Sequence, residues 1–137
     1  MNPSAPIPVP VADADSAPFL DGLADHRIVL QRCTACGRVR FPPMPACPWC
    51  ASTASAWIDA SGRGTVYSWV GVRRALTPGF ESEVPYTIVT VDLAEGARAF
   101  GRLEGPEPGA PGGAVAAAFV DHDAWTELRF RPITGPA

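Results

Sequence analysis

Four cysteines, arranged as two closely spaced pairs, constrain the fold of this chain more than any other feature. The pairs are Cys33 with Cys36 and Cys47 with Cys50, and each has the spacing C-x-x-C. Such a pair forms a tight turn whose backbone N–H groups can point at thiolate sulfur, and two such turns can place four thiolates around one ion. Two disulfides are the alternative, but each would close a strained short loop. The spacing therefore predicts a zinc ribbon that uses all four cysteines.

The expected metal has a structural role. Four thiolate ligands leave no open coordination position for water or substrate, which favours a structural Zn²⁺ ion. Zinc binding at such a site is worth roughly 10–16 kcal/mol at neutral pH and is coupled to folding. Iron bound by the same turns is the alternative, and it would imply electron transfer.

Composition limits the class of protein. The chain has 137 residues, of which 47% are hydrophobic, enough for one domain or two small ones that share an interface. The net charge of −3 argues against a general binder of phosphate backbones. No apolar run reaches the length of a transmembrane helix, and the N-terminus lacks the basic start of a secretory signal. We therefore expect a cytoplasmic protein with no membrane contact.

The N-terminal part is expected to contain a tail and a short helix. Residues 1–15 alternate proline with small residues, which is typical of an extended tail or linker. Residues 16–27 have a helical pattern, with Pro18 in the first turn and Phe19 and Leu23 on one side. A helix this short is not stable alone, so its apolar side must pack against this chain or a partner.

The rest of the chain is expected to be mainly β, with the zinc ribbon in residues 28–56 and a barrel in residues 57–137. Five alternating segments in the second region and no long helix predict a small antiparallel barrel. Its long loops favour the five-stranded OB-fold, and an SH3-like barrel is the alternative. The expected strands are 64–74, 86–93, 97–103, 114–120 and 125–131.

Alternation within the first barrel strand predicts which side chains point inward. A regular strand would place Val66, Ser68 and Val70 on one face, and Tyr67 and Trp69 on the other. His26 follows the predicted helix, where a capping role is expected. His122 lies in a predicted turn, where a solvated position is expected.

Several short motifs, in this order, resemble one known family. They are Leu30-Gln31-Arg32-Cys33, Cys36-Gly37, Phe41-Pro42-Pro43, Cys47-Pro48-x-Cys50, Trp57, Gly62-x-Gly64-x-Val66-Tyr67-Ser68, Pro85-Tyr86 and Leu128-x-Phe130-x-Pro132. The chain resembles, over residues 18–132, the zinc-ribbon (rubredoxin-like) and OB-fold accessory proteins long catalogued as a domain of unknown function.

The resemblance implies a role in a complex. Members of that family are small subunits of thiolase-superfamily enzymes, including steroid side-chain aldolases, which act on acyl-CoA substrates. It implies a non-catalytic subunit that binds and stabilises a thiolase-like partner in a hetero-oligomer and helps to form its acyl-CoA pocket. The sequence agrees with a non-catalytic role, since no G-x-S-x-G, H-E-x-x-H or phosphate-loop motif occurs in it.

Three aromatic residues are candidates for contact with a partner or its substrate pocket. Trp49 lies between two ligand cysteines, where little core is available to cover it. Phe80 lies in the loop between the first two barrel strands, and Tyr86 begins the second. A partner could cover Phe80, although the barrel itself could do so.

Four arginines are candidates for holding a CoA phosphate, because the guanidinium fork binds phosphate oxygens in pairs. They are Arg73 and Arg74 at the end of the first barrel strand, and Arg98 and Arg102 on one face of the third. The alternative for each of them is a solvated position on a strand. The CoA thioester would then bind at an interface shared with the partner.

A nucleic-acid-binding module is the second functional alternative, since zinc ribbons and OB-folds both occur in such proteins. Tyr67, Trp69 and Phe100 could stack on bases, but the net charge does not favour nucleic-acid binding.

The ribbon and the barrel are expected to be semi-independent units. On that view, Cys47→Ser should unfold the ribbon and leave the barrel largely folded.

Overall fold

The computed structural model describes residues 5–134, and its N-terminal part is a short helix followed by a small sheet. Helix α1 spans Ala17–Ala24. Strands β1 (Ile28–Cys33), β2 (Val39–Arg40) and β3 (Ser55–Ala60) form an antiparallel sheet in the order β2-β1-β3. Residues 5–13 contain neither helix nor strand, and the start of the expected tail lies outside the described residues.

Helix α1 ends where the sequence predicts a cap. His26 has a left-handed backbone with φ of +57°. Its N–H donates to the Leu23 carbonyl at 2.9 Å, and the Arg27 N–H donates to the Gly22 carbonyl at 2.8 Å, which is the Schellman arrangement. Gly22 lets the helix lie close to β1, since a Cβ there would be 3.2 Å from Val29. Within residues 5–134, no helix has the length and apolar character to cross a bilayer.

The remaining five strands close into a barrel. They are β4 (Arg63–Val72), β5 (Tyr86–Leu93), β6 (Arg98–Leu103), β7 (Ala114–Asp121) and β8 (Thr126–Pro132). Their order around the barrel is β4-β5-β6-β8-β7, with β6 and β8 parallel and the other pairs antiparallel. This is the OB-fold order, so the prediction of an OB-fold is confirmed and the SH3-like alternative is wrong.

The first barrel strand departs from the expected alternation. A β-bulge lies between Val66 and Ser68, and beyond it the two faces exchange. Trp69 therefore packs against the core, and its Nε1 donates to the Gly109 carbonyl at 2.7 Å. Val70 is 56% exposed. The prediction that Val70 shares the face of Val66 is wrong, and Trp69 is not available for stacking on a base.

Ribbon and barrel share one hydrophobic core. Leu23 from α1 and Ile28 and Leu30 from β1 belong to the same buried cluster as Val89 and Phe130 of the barrel. Strand β3 crosses the expected boundary at residues 56 and 57, and all of its residues pair with β1. The two parts are therefore continuous in their packing.

Candidate metal centre and binding surfaces

The four cysteine sulfurs meet at one point, between the turn that follows β1 and the turn that precedes β3. Their Sγ atoms all lie within 4.8 Å of one another. Cys33 and Cys50 are 3.5 Å apart, and Cys36 and Cys47 are 3.6 Å apart. A tetrahedral zinc site with bonds near 2.3 Å has sulfurs about 3.8 Å apart. All four cysteines are free thiols, and the arrangement fits a closed tetrathiolate metal site.

Both turns of the metal centre have the same backbone pattern. The Gly37 N–H donates to the Cys33 carbonyl and the Ala51 N–H to the Cys47 carbonyl, both at 2.9 Å. The donating residue has a left-handed backbone in each turn, with φ of +80° at Gly37 and +66° at Ala51. Each cysteine pair is thus held by a local turn, which explains why spacing alone was sufficient to predict the site.

Hydrogen bonds and sulfur contacts separate the acidities of the thiols. The Cys36 N–H donates to Cys33 Sγ at 3.4 Å and lowers the pKa of Cys33 to about 6, although burial opposes this. The Ser52 amide lowers the pKa of Cys50, but the sulfur of Cys33, burial and the other sulfurs together raise it to about 11. Repulsion between four adjacent thiolates prevents all of them from being deprotonated at once in the free protein. A bound cation compensates these charges and allows all four to be thiolates.

Trp49 lies on the surface of the metal centre. Its side chain is 53% exposed, and the Arg38 guanidinium lies 5.2 Å from the ring centroid. The ring is therefore available for contact with another molecule.

Phe80 and Tyr86 lie together beside the N-terminal segment. Their ring centroids are 6.0 Å apart, and both line an apolar cavity of about 250 Å³ with Ile7 and Trp125. The N-terminal segment also contacts the loop of Phe80, since a Cβ at Gly79 would lie 2.3 Å from the carbonyl oxygen of Pro6. Part of the cover for Phe80 thus comes from this chain.

Three of the four candidate arginines already contact a carboxylate. Arg73 and Arg102 line a cavity of about 520 Å³, together with Tyr86 and Arg129. Arg98 lies elsewhere, with its guanidinium 3.7 Å from the ring centroid of Tyr67. The N–O distances are 2.8 Å for Arg73–Glu107, 2.7 Å for Arg98–Asp92 and 2.9 Å for Arg102–Glu83.

The outer face of β4 and β6 carries exposed apolar side chains, among them Tyr67 and Phe100, which the sequence offers as exposed aromatic residues, and Val70, which it places elsewhere. Tyr67, Val70 and Phe100 are 48%, 56% and 53% exposed, respectively. Phe100 also contacts Phe41 of the ribbon, with ring centroids 5.2 Å apart. The bulge in β4 puts Val70 on this face, and nothing in the alternation pattern signals a bulge. We call Tyr67, Val70 and Phe100 the outer apolar face.

Both histidines pair with carboxylates at the surface. His26 Nε2 lies 2.9 Å from Asp121 Oδ1, and His122 Nε2 lies 2.9 Å from Glu127 Oε1. The first pair joins the end of α1 to β7, so it links the ribbon to the barrel. All four cysteines belong to the metal centre, so none is left as a nucleophile for either histidine.

Two curated relatives of the chain are named as subunits of a CoA hydratase and of a CoA thiolase. Over 125 residues it is 37% identical to the 3-oxo-4,17-pregnadiene-20-carboxyl-CoA hydratase alpha subunit of Mycobacterium tuberculosis, covering 90% of this chain and 39% of the relative. Over 99 residues it is 34% identical to the benzoylsuccinyl-CoA thiolase subunit BbsA of Thauera aromatica, covering 69% and 58%. The chain thus spans less than two thirds of the length of these relatives.

Family and structure comparisons agree with the observed fold. Residues 20–55 match the family described as the ChsH2 rubredoxin-like zinc ribbon domain, and residues 57–120 match the ChsH2 C-terminal OB-fold domain. The solved structure described as "Ltp2-ChsH2(DUF35) aldolase" is similar with a TM-score of 0.78 and 34% identity, covering 90% of this chain and 98% of that one. The chain therefore belongs to the DUF35 family of ChsH2-type proteins, which join a zinc ribbon to an OB-fold.

Proposed function

We propose that this chain is a non-catalytic accessory subunit that binds and stabilises a thiolase-like acyl-CoA enzyme, either a thiolase or a retro-aldolase such as one acting on steroid side chains. The observation that carries the proposal is the similarity to a chain of the Ltp2-ChsH2(DUF35) aldolase over almost its whole length. A relative that is a thiolase subunit supports the same role. The partner supplies the nucleophile or base, and this chain supplies walls and contacts that position the substrate.

Two exposed surfaces support contact with a partner. The outer apolar face and Trp49 leave large apolar side chains in water, and clustered exposure of this kind is characteristic of protein interfaces. Aromatic side chains are enriched at the energetic centres of such interfaces. We propose that the outer apolar face docks on the partner, with Trp49 as a second contact.

We further propose that the acyl-CoA substrate is shared between the two subunits. The cavity of about 520 Å³ that contains Arg73, Arg102 and Tyr86 has the size of a ligand site, and Arg129 is a third guanidinium group in its lining. A phosphate would bind Arg73 and Arg102 in competition with Glu107 and Glu83. Phe80, beside Tyr86, would line the route of the acyl chain. Arg98 lies on the outer face, where it would meet the partner, and Arg74 is exposed just beyond β4.

Zinc is the metal that we propose for the four cysteines, in a purely structural role, within a cytoplasmic protein. Metal analysis of the purified chain checks this directly. We expect one zinc per chain and a colourless preparation, whereas a coloured protein containing iron would support electron transfer.

The test of partnership is co-expression with a thiolase-superfamily subunit encoded beside this chain in its native genome. We expect the two to co-purify and the partner to gain activity or stability on acyl-CoA. Val70→Asp, on the exposed face, should abolish co-purification and leave the fold intact, whereas Val11→Asp, at another exposed apolar position, should have no effect. A partner that is fully active alone and never co-purifies would overturn the proposal.

A further inference from the structure

Two arginines that are distant in sequence lie side by side on the barrel. In the strand register, Arg63 of β4 is opposite Ala116 of β7, and Ala116 is opposite Arg131 of β8. Residues directly opposite one another point to the same face of a sheet. Neighbouring strands are about 4.8 Å apart, so the Cα atoms of the two arginines are about 10 Å apart. Only the methyl group of Ala116 separates the two side chains.

Neither arginine has an ionic partner among residues 5–134. Arg63 and Arg131 are exposed, and no described carboxylate lies within ion-pair distance of either. The two like charges repel one another across the width of β7. This differs from Arg73, Arg98 and Arg102, each of which contacts a carboxylate. The two positive charges therefore lack compensation in the chain itself.

The two arginines border open space on both sides. Both line a cavity of about 450 Å³ between ribbon and barrel, and a neighbouring cavity of about 440 Å³ beside the end of β8. Small residues form part of the lining of the first cavity, including Gly62 and Ala117, and a Cβ at Gly62 would lie only 2.9 Å from the Cβ of Ala117. Its one acidic lining residue is Asp59, which lies 3.7 Å from Arg27 on the ribbon side.

We propose that this arginine cleft, defined by Arg63, Ala116 and Arg131, binds the phosphate groups of a small organic diphosphate. Guanidinium forks bind phosphate oxygens in pairs, and two forks flanking one methyl group can hold a diphosphate from both ends. The cavity between ribbon and barrel has room for the organic part of the ligand. The cleft is separate from the cavity of Arg73 and Arg102, so it adds a site beyond the function proposed above.

The experiment measures binding to the isolated zinc-loaded chain by calorimetry, with inorganic pyrophosphate, ADP and CoA as separate probes. We expect at least one probe to bind, and Arg63→Gln with Arg131→Gln to weaken it at least tenfold. Ala116→Glu should also abolish binding, because its carboxylate would pair with both arginines. Arg32→Gln is the matched control and should leave the affinity unchanged, because Arg32 is exposed and lines neither of the two cavities beside the cleft. Circular dichroism checks that every variant is folded.

Each result decides the question. Binding of pyrophosphate itself identifies the diphosphate as the recognised group, and binding of only ADP or only CoA identifies the source of that group. The proposal is overturned if no probe binds at millimolar concentration, if the cleft variants bind as well as the unmodified chain, or if Arg32→Gln alone removes binding. Co-purification of the cleft variants with the thiolase-like subunit is measured separately. Loss of that contact with unchanged binding of every probe would also overturn the proposal, because the cleft would then recognise an acidic protein surface. None of the calorimetry involves the thiolase-like subunit, so partnership can fail independently.

Discussion

At the scale of single residues, the metal centre depends on backbone conformations that residues with a Cβ rarely adopt. Gly37 and Ala51 occupy equivalent positions in the two cysteine turns, and both have positive φ. Glycine adopts this conformation freely, whereas a residue with a Cβ is strained there by about 1–2 kcal/mol. The second turn therefore forms against a penalty that the first turn avoids.

We expect Ala51→Gly to stabilise the metal-loaded protein by about 1 kcal/mol, because it removes this strain. Gly37→Ala is the matched reverse change and should destabilise the protein by a similar amount. A Cβ at Gly37 would meet no atom within 4 Å, so the effect there comes from the backbone alone. Thermal unfolding with zinc present measures both changes. Shifts of the same sign in the two variants would contradict the explanation.

Asp121 gives the fold a dependence on acid pH. The hydrogen bonds with His26 and Thr126 lower the pKa of this carboxyl group from 3.8. A carboxyl group whose pKa is lower in the folded state contributes stability that is fully present above its unfolded pKa. That contribution is lost as the pH falls from about 4 through the folded value.

We therefore expect Asp121→Asn to reduce stability at neutral pH and to flatten its decline below about pH 4. Urea unfolding over a series of pH values measures both effects. Asp123→Asn, in the same turn, controls for the change in net charge. Acid release of the metal affects all three proteins alike, so it cancels in the comparison. An equally steep decline in Asp121→Asn would disprove the role assigned to the pair with His26.

At the scale of elements, the sequence predicts those strands whose position depends on a local pattern of apolar and polar residues. Apolar and polar alternation located five barrel strands because half-buried strands require it. The bulge after Val66 was not predictable, since it is a defect in pairing with β5 rather than a pattern within β4. The pairing of Cys33 with Ser55, which puts β3 in the ribbon sheet, likewise joins distant segments.

Gly64 shows how closely the barrel strands approach. A Cβ at this position would lie 2.3 Å from the carbonyl oxygen of Asp92, an atom of the neighbouring strand that cannot rotate away. We expect Gly64→Ala to destabilise the protein by about 1–3 kcal/mol through forced separation of β4 and β5. Gly113→Ala is the control, because a Cβ there meets nothing within 4 Å. Urea midpoints measure both, and equal midpoints would contradict the clash.

At the scale of the whole molecule, the candidate sites differ in how far sequence can predict them. The metal centre is predictable because each cysteine pair lies in one turn. The outer apolar face and the arginine cleft are not, because they depend on strand register between distant segments. Arg63 and Arg131 become neighbours only through Ala116 on a third strand. The arginine cleft therefore forms only when β7 has paired with both β4 and β8.

The shared core changes what loss of the metal should do. If ribbon and barrel were semi-independent, Cys47→Ser would leave the barrel intact. Leu23, Ile28 and Leu30, however, pack in one cluster with barrel residues. We therefore expect metal loss to remove part of the barrel's cover and to lower its melting temperature, because ribbon folding depends on the metal.

The experiment compares the zinc-loaded protein, the chelated protein and Cys47→Ser by circular dichroism during heating. We expect the zinc-loaded protein to unfold in one transition that includes the strand signal. Both metal-free forms should keep strand signal at low temperature and lose it at a lower temperature than the loaded protein. Leu23→Ala opens a space in the same cluster without touching the metal. It should destabilise the zinc-loaded protein by about 2–5 kcal/mol and so lower its melting temperature. An unchanged barrel transition after chelation would show that the ribbon contributes nothing to barrel stability.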